Sequence, residues 1–172
     1  MANRVGPQGK VIAFGPLAEN FKILKENIKM NGHANAVAEN LALMSRTERI
    51  ELRGATPGAI TWVTSVKIDQ NSAVESQRVE ALALDEYVQM KGIAKVNFLK
   101  IDVEGAEASV LEGATNVLNR DKPILLIEMH ELDRFKDKHP AILKLQDLNY
   151  RLRSLGICEW QEHFIAEPPS KS

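Results

Sequence analysis

The chain has one cysteine, Cys158, in 172 residues, so no disulfide can form within it. With no secretory leader at the amino terminus, a reduced cytoplasmic setting is expected. No apolar run approaches the ~20 residues of a bilayer-spanning helix, so the chain is expected to be soluble, with no membrane partner. An excess of one charge is also lacking: 22 Lys and Arg against 23 Asp and Glu give a formal net charge of -1. A nucleic-acid protein would gather its basic residues on one face, and here they are spread along the chain, so nucleic acid is excluded as a partner. There is no phosphate-binding glycine loop, no internal repeat and no low-complexity stretch. What remains is 44% hydrophobic residues, enough for one domain over residues 1–172 with a sizeable core and loose ends at 1–9 and 167–172.

The most informative stretch runs from Val96 to Glu107, Val-Asn-Phe-Leu-Lys-Ile-Asp-Val-Glu-Gly-Ala-Glu. Its apolar run reads as a buried strand, and Val110, Leu111, Ala114, Val117 and Leu118 then fall on one face of a helix. A second buried strand, Pro123 to Met129, follows directly, which makes a β-α-β unit with two parallel strands. Ligands of open parallel sheets sit beyond the carboxyl ends of the strands. That rule places Asp102, Glu104, Glu128 and His130 where chemistry is expected.

Upstream, Met1 to Gly9 reads as a loop and Lys10 to Phe14 as a short buried strand. Gly15-Pro16 breaks that strand, and Leu17, Phe21, Leu24 and Ile28 recur on one face of a helix that Asn31-Gly32 stops. Ala36 to Leu43 has strand composition, Glu48 to Leu52 reads as a half-buried strand and Ile60 to Ile68, which carries Trp62, as an alternating one. Asp69 to Gln77 reads as a loop, Arg78 to Leu84 as a strand, and Asp85 as the cap of a short helix ending at Lys91-Gly92. Glu131 to His139 is a charged loop before a helix starting at Pro140. Tyr150 to Leu155 and Glu159 to Ile165 suggest an antiparallel pair at the sheet edge.

Phe98-Leu99-Lys100-Ile101-Asp102-Val103-Glu104-Gly105-Ala106-Glu107, followed by Val110-Leu111-Glu112-Gly113-Ala114, resembles the signature of the FkbM-type methyltransferases. The likeness extends from about Gly9 to Tyr150 and includes Gly9 to Phe14, Leu41-Ala42-Leu43, Leu84-Asp85 and Pro123 to Glu128, in the family's order. It implies an α/β fold of Rossmann-like methyltransferase type, with a mostly parallel sheet flanked by helices and antiparallel strands at its carboxyl-terminal edge. It also implies S-adenosylmethionine as cofactor and a hydroxyl of a small molecule or sugar as methyl acceptor. Two features depart from the family. The first strand with its glycine-rich turn is absent, leaving the fold incomplete at its amino end, and Gly15 stands where an acid would bind the ribose. Without that central strand the sheet is expected to re-pair, to dimerise or to be poorly soluble.

The resemblance assigns Asp102 as acceptor of the hydroxyl proton, with Glu128 and His130 as further catalytic groups. Gly15, Asn40, Leu41, Asp102 and Glu104 are the expected cofactor contacts. Asp102 and Glu128, on adjacent strands about 5 Å apart, form a like-charge pair that would raise one pKa. Ordinary roles would also account for these residues: solvated or capping acids, a helix-start position for Glu104 favoured by the dipole, a surface role for His130. His130 with two acids could equally be part of a metal site, although no metal is assigned. His33, His139 and His163 lack partner spacing and read as structural. A different class of function remains open, a truncated or non-catalytic methyltransferase-like domain acting as an interaction module.

Overall fold

The structure, a computed structural model, describes residues 1–53, 76–130, 138–158 and 161–169. In chain order it comprises α1 (Ala2–Val5), β1 (Val11–Phe14), α2 (Ala18–Met30), β2 (Ala36–Glu39), β3 (Ala42–Leu43), β4 (Glu48–Arg53) and β5 (Ser76–Leu82). There follow α3 (Leu84–Met90), β6 (Phe98–Ile101), α4 (Glu107–Glu112), α5 (Thr115–Asp121), β7 (Ile124–Met129), α6 (Pro140–Asp147), β8 (Arg151–Cys158) and β9 (Gln161–Glu167). Trp62 and the strand expected over Ile60 to Ile68 lie outside the described residues, as does the Glu131 to His139 loop up to residue 137.

The strands form three hydrogen-bonded groups, β1-β2, β3-β5-β4 and β6-β7-β9-β8. β1 and β2, β3 and β5, and β6 and β7 pair in parallel; the β4-β5, β7-β9 and β8-β9 pairs are antiparallel. The sheets are therefore mixed, not mostly parallel. The reason is local: the β8-β9 hairpin folds back so that β9 lies against β7, and β4 returns along β5.

The expected β-α-β unit is present, with Phe98 to Ile101 in register with Ile124 to Ile127. Its helix is two helices, broken at Gly113-Ala114. Val110, Leu111, Ala114, Val117 and Leu118 all face the core, where they meet Ile101, Leu125, Ile127, Met129 and Leu145. Burying a side chain of this size is worth about 1.5–3 kcal/mol each. Asp85 caps, but not its own helix: its two oxygens accept from the backbone N–H groups of Asn116 and Val117 at the start of α5. Ala36 to Leu43 divides into β2 and β3 of different groups, and the Met1 to Gly9 loop holds a single helical turn, α1.

The β1-α2-β2 unit is covered much less. β1 was expected to be buried, yet all four of its residues are only partly covered, and α2 buries none of its thirteen, Ile23 being 56% exposed. Direct pairing of β1 with β6 does not form: β1 hydrogen-bonds β2 alone and β6 bonds β7 alone among the described residues.

Packing is tightest where the end of α4 meets the turn after β3. A Cβ on Gly113 would stand 2.0 Å from the Met44 carbonyl oxygen and 3.2 Å from Ser45 Cα, and both are backbone. Gly113→Ala should lower stability by about 1–3 kcal/mol, the usual range for overpacking. Thermal unfolding followed by circular dichroism checks this; a wild-type midpoint would show that the two segments do not touch.

Candidate active site

Two strand ends build the site. β6 ends at Ile101, and the chain turns through Asp102 to Ala106 before α4 begins at Glu107. Glu104 and Gly105 both have positive φ, 52° and 97°. A glycine takes that conformation freely, whereas for Glu104 it costs about 1 kcal/mol or more. The turn is tied by the Gly105 N–H, which donates to Glu107 Oε1 at 2.9 Å. Glu104 is thus outside the helix, so dipole stabilisation at a helix start does not explain it.

β7 runs beside β6 and delivers Glu128 and, one residue past its end, His130. His130 is 6% exposed and Glu107 wholly buried. The imidazole Nδ1 lies 2.7 Å from Glu107 Oε1, and Nε2 lies 2.9 Å from Glu104 Oε2 and 3.6 Å from Glu128 Oε1. β9 closes the cluster. His163 pairs in register with Glu128 and approaches its Oε2 through Nε2 at 3.0 Å, and the Gln161 amide nitrogen lies 3.0 Å from His130 Nε2. Asp102 stands at the exposed rim, where Lys100 Nζ holds its Oδ2 at 2.6 Å.

Burial works to lower the His130 pKa, but the hydrogen bond to Glu107 and the charges of Glu107, Glu104 and Glu128 outweigh it and raise the imidazole above its ordinary 6.5. Glu104 is raised above 4.5, first by burial and then by Asp102, Glu128 and Glu107, against the opposing pull of His130. Asp102, Glu104 and His130 each offer one donor atom, all within 4.8 Å of one another, so these three could hold a metal ion.

The remaining predicted residues lie at the ends of β1 and β2. The Asn40 side-chain N–H groups donate to the carbonyls of Gly15 and Pro16 at 2.8 and 2.9 Å, and the Gly15 N–H donates to the Glu39 carbonyl. Gly15, Asn40 and Leu41 share this corner, and no hydrogen bond among the described residues joins it to the carboxylate–histidine cluster. A cavity of about 640 Å³ lies elsewhere, lined by residues including Asn3, Gln8, Lys10, His33 and Asn35. These precede β1 and β2, whereas the cluster follows β6 and β7, so the cavity is not part of this site.

The family model described as "Methyltransferase FkbM domain" matches residues 1–152. The chain belongs to the FkbM methyltransferase family. A curated relative, "Methyltransferase 1" of Beauveria bassiana (strain ARSEF 2860), is 25% identical over 123 residues, covering 62% of this chain and 49% of that protein. In fold the chain resembles the crystal structure of methyltransferase FkbM from Methylobacillus flagellatus KT, with a TM-score of 0.58 at 17% identity over 92% of this chain and 36% of that one. The chain thus spans about half the length of the curated relative it matches. No helix among the described residues is long and apolar enough to cross a membrane.

Sequence reasoning brought together Asp102, Glu104, Glu128 and His130 but gave no role to Glu107, Gln161 or His163. Glu107 was within reach, three residues after Glu104 at the start of the FkbM helix. Gln161 and His163 alternate along β9, so both face the same side. The set-aside His139 is structural as read, its Nδ1 accepting from the Ala141 N–H at the start of α6.

The two raised pKa values give a signed pH dependence. The stabilisation from His130 is complete below pH 6.5 and is lost as pH rises through the raised folded value. A raised carboxyl acts in the same direction, so the Glu104 contribution declines as pH rises from 4.5 through its folded value. The unfolding midpoint should fall between about pH 5 and about pH 8, and His130→Asn should flatten that slope. Thermal melts across this range test it; an equal slope in the variant would mean that His130 is not the group responsible.

Proposed function

We propose that the chain takes part in methyl transfer from S-adenosylmethionine to a hydroxyl of a small molecule or sugar, on a Rossmann-like framework. The observation that carries this reading is the buried His130–Glu107 pair, facing Glu104 and Glu128 at the ends of two parallel strands in a chain of the FkbM family. The cofactor would supply an electrophilic methyl group, its carbon–sulfur electrons returning to sulfur as the hydroxyl oxygen takes the methyl, and the hydroxyl proton would pass to the cluster. Positioning supplies most of the rate in such a displacement, and a carboxylate near the acceptor takes the proton. Asp102, the exposed member, receives it; His130 and Glu104 lie behind it, with Nε2 2.9 Å from Oε2; Glu107 positions His130.

On the cofactor side, Asn40 has committed both amide hydrogens to Gly15 and Pro16, so its Oδ1, the backbone and the Leu41 side chain remain for the ligand. A Cβ on Gly15 would make only ordinary contacts, the nearest being Leu24 Cδ2 at 3.7 Å, so position 15 has room for a ribose-binding acid. Calorimetric titration with S-adenosylhomocysteine should show saturable binding, and Gly15→Asp should tighten it about tenfold, the worth of one charge-assisted hydrogen bond. Asp102→Asn should abolish turnover and leave folding unchanged; turnover at the wild-type rate would remove Asp102 from the mechanism.

One observation favours the second reading, a non-catalytic interaction module: β1 and β6 do not pair among the described residues, and the helix after β1 has no buried residue. A folded sample that takes up no S-adenosylhomocysteine would support that reading over methyl transfer.

A further inference from the structure

We propose that Asp102, Glu104 and His130 bind a divalent cation of the Mn2+ or Mg2+ type, with Glu128 beside them as a fourth donor. The site stands on its own geometry, while its use in catalysis rests on the methyl-transfer reading above. One imidazole and several carboxylates form the donor set of oxygen-preferring ions that keep open positions for water or substrate.

Spacing agrees with this. An octahedral ion with ligands at about 2.1 Å sets neighbouring donors about 3 Å apart and opposite ones about 4.2 Å apart. His130 Nε2 and Glu104 Oε2 are 2.9 Å apart, and the three donor atoms lie within 4.8 Å. The histidine is also oriented for the task. Glu107, wholly buried, takes Nδ1 at 2.7 Å, which directs the Nε2 lone pair toward the carboxylates, and such a carboxylate behind the ring is the usual support of a metal-binding histidine.

A second observation comes from unmet hydrogen-bonding capacity. Glu107 Oε2 and Glu104 Oε2 are both buried without a hydrogen-bond donor among the described residues. The Glu104 atom is the one 2.9 Å from His130 Nε2, so this is a close approach without hydrogen-bond geometry. A buried carboxylate oxygen left unpaired costs about 1–3 kcal/mol or more, and a cation at that point would satisfy it. Charge points the same way: among the described residues, the carboxylates of Asp102, Glu104, Glu107 and Glu128 meet the imidazoles of His130 and His163 and the Lys100 ammonium as their cationic partners. Even with both rings protonated the cluster is left negative.

Bound there, the ion would take the acceptor oxygen into an open position and make its hydroxyl more acidic, and the second oxygen of Asp102 would receive the proton. Titration of the full chain with Mn2+, followed by electron paramagnetic resonance and calorimetry, should show one saturable site per chain and proton release on binding. Asp102→Asn, at the exposed rim, should weaken binding at least tenfold, and Glu107→Gln about tenfold or more although it touches no ion. Absence of saturable uptake, or equal uptake by wild type and Asp102→Asn, overturns the site. Methyl transfer that continues unchanged after chelation overturns its catalytic use and leaves the methyl-transfer reading standing. Mn2+ uptake without S-adenosylhomocysteine binding does the reverse.

Discussion

The contact between Glu107 and His130 is the constraint that the rest of the site obeys. A carboxylate with no exposed surface needs hydrogen bonds and a compensating charge, and Glu107 finds them at Oε1 through the Gly105 N–H and His130 Nδ1. Both partners are placed by backbone events. The Gly105 N–H faces back toward Glu107 because two successive residues adopt positive φ between β6 and α4, and His130 is placed by the parallel register of β7. The strain at Glu104 therefore has a function: it sets the entry angle of α4 so that Glu104 and Glu107 converge on one imidazole from opposite sides. Removing either partner would take a close contact from the other in a buried place, which is why the turn, helix and strand end form one unit.

Cover is distributed unequally around that unit. On one side, β7 lies between β6 and β9 with α4, α5 and α6 packed on it, and Leu125, Ile127 and Met129 have no exposed surface. On the other, the β1, α2 and β2 elements contain no buried residue; Leu17, which caps α2, packs with Ala42, Leu52, Val79 and Ala81, and α3 adds polar and aromatic contacts. There the Tyr87 ring meets Phe14 edge-on at 4.9 Å while its hydroxyl donates to Glu39, and Lys91 Nζ reaches the same carboxylate at 3.2 Å. Polar fastening of this kind orients the unit but buries little apolar area.

The sequence made the densely packed part legible and the thin part only partly so. The stripe from Val110 to Leu118 can be satisfied only by burial, so the α4–α5 helices between two strands were readable. β6, however, is buried only at Ile101 and Phe98 is 39% exposed, so the buried strand expected before Asp102 is covered on part of one face. The break at Gly113-Ala114 was not readable, because it arises from the close approach of the Met44 backbone, which no local pattern records. Asp85 was recognised as a cap but assigned to the wrong helix, since it accepts from residues more than thirty positions away. Glu128 and His130 could be placed by strand-end reasoning alone. His163 could not, because its role depends on the antiparallel register of β9 against β7. Glu104, which the like-charge argument left out, is raised above its ordinary value first by burial, while Asp102 stands at the rim beside Lys100.

Those placements give the cluster a division of labour. Its buried part, Glu104, Glu107 and His130, holds more negative charge than its own imidazole can balance, and this imbalance, together with the burial of Glu104, raises both the Glu104 carboxyl and the His130 imidazole above their ordinary values. An acceptor hydroxyl losing its proton beside Asp102, or a divalent cation settling against Nε2, would each answer the same electrostatic demand from the exposed side. Proton transfer and cation binding are thus two uses of one charge imbalance. The buried Glu107 sustains it, because this carboxylate supplies negative charge to the imidazole while remaining out of reach of solvent and substrate.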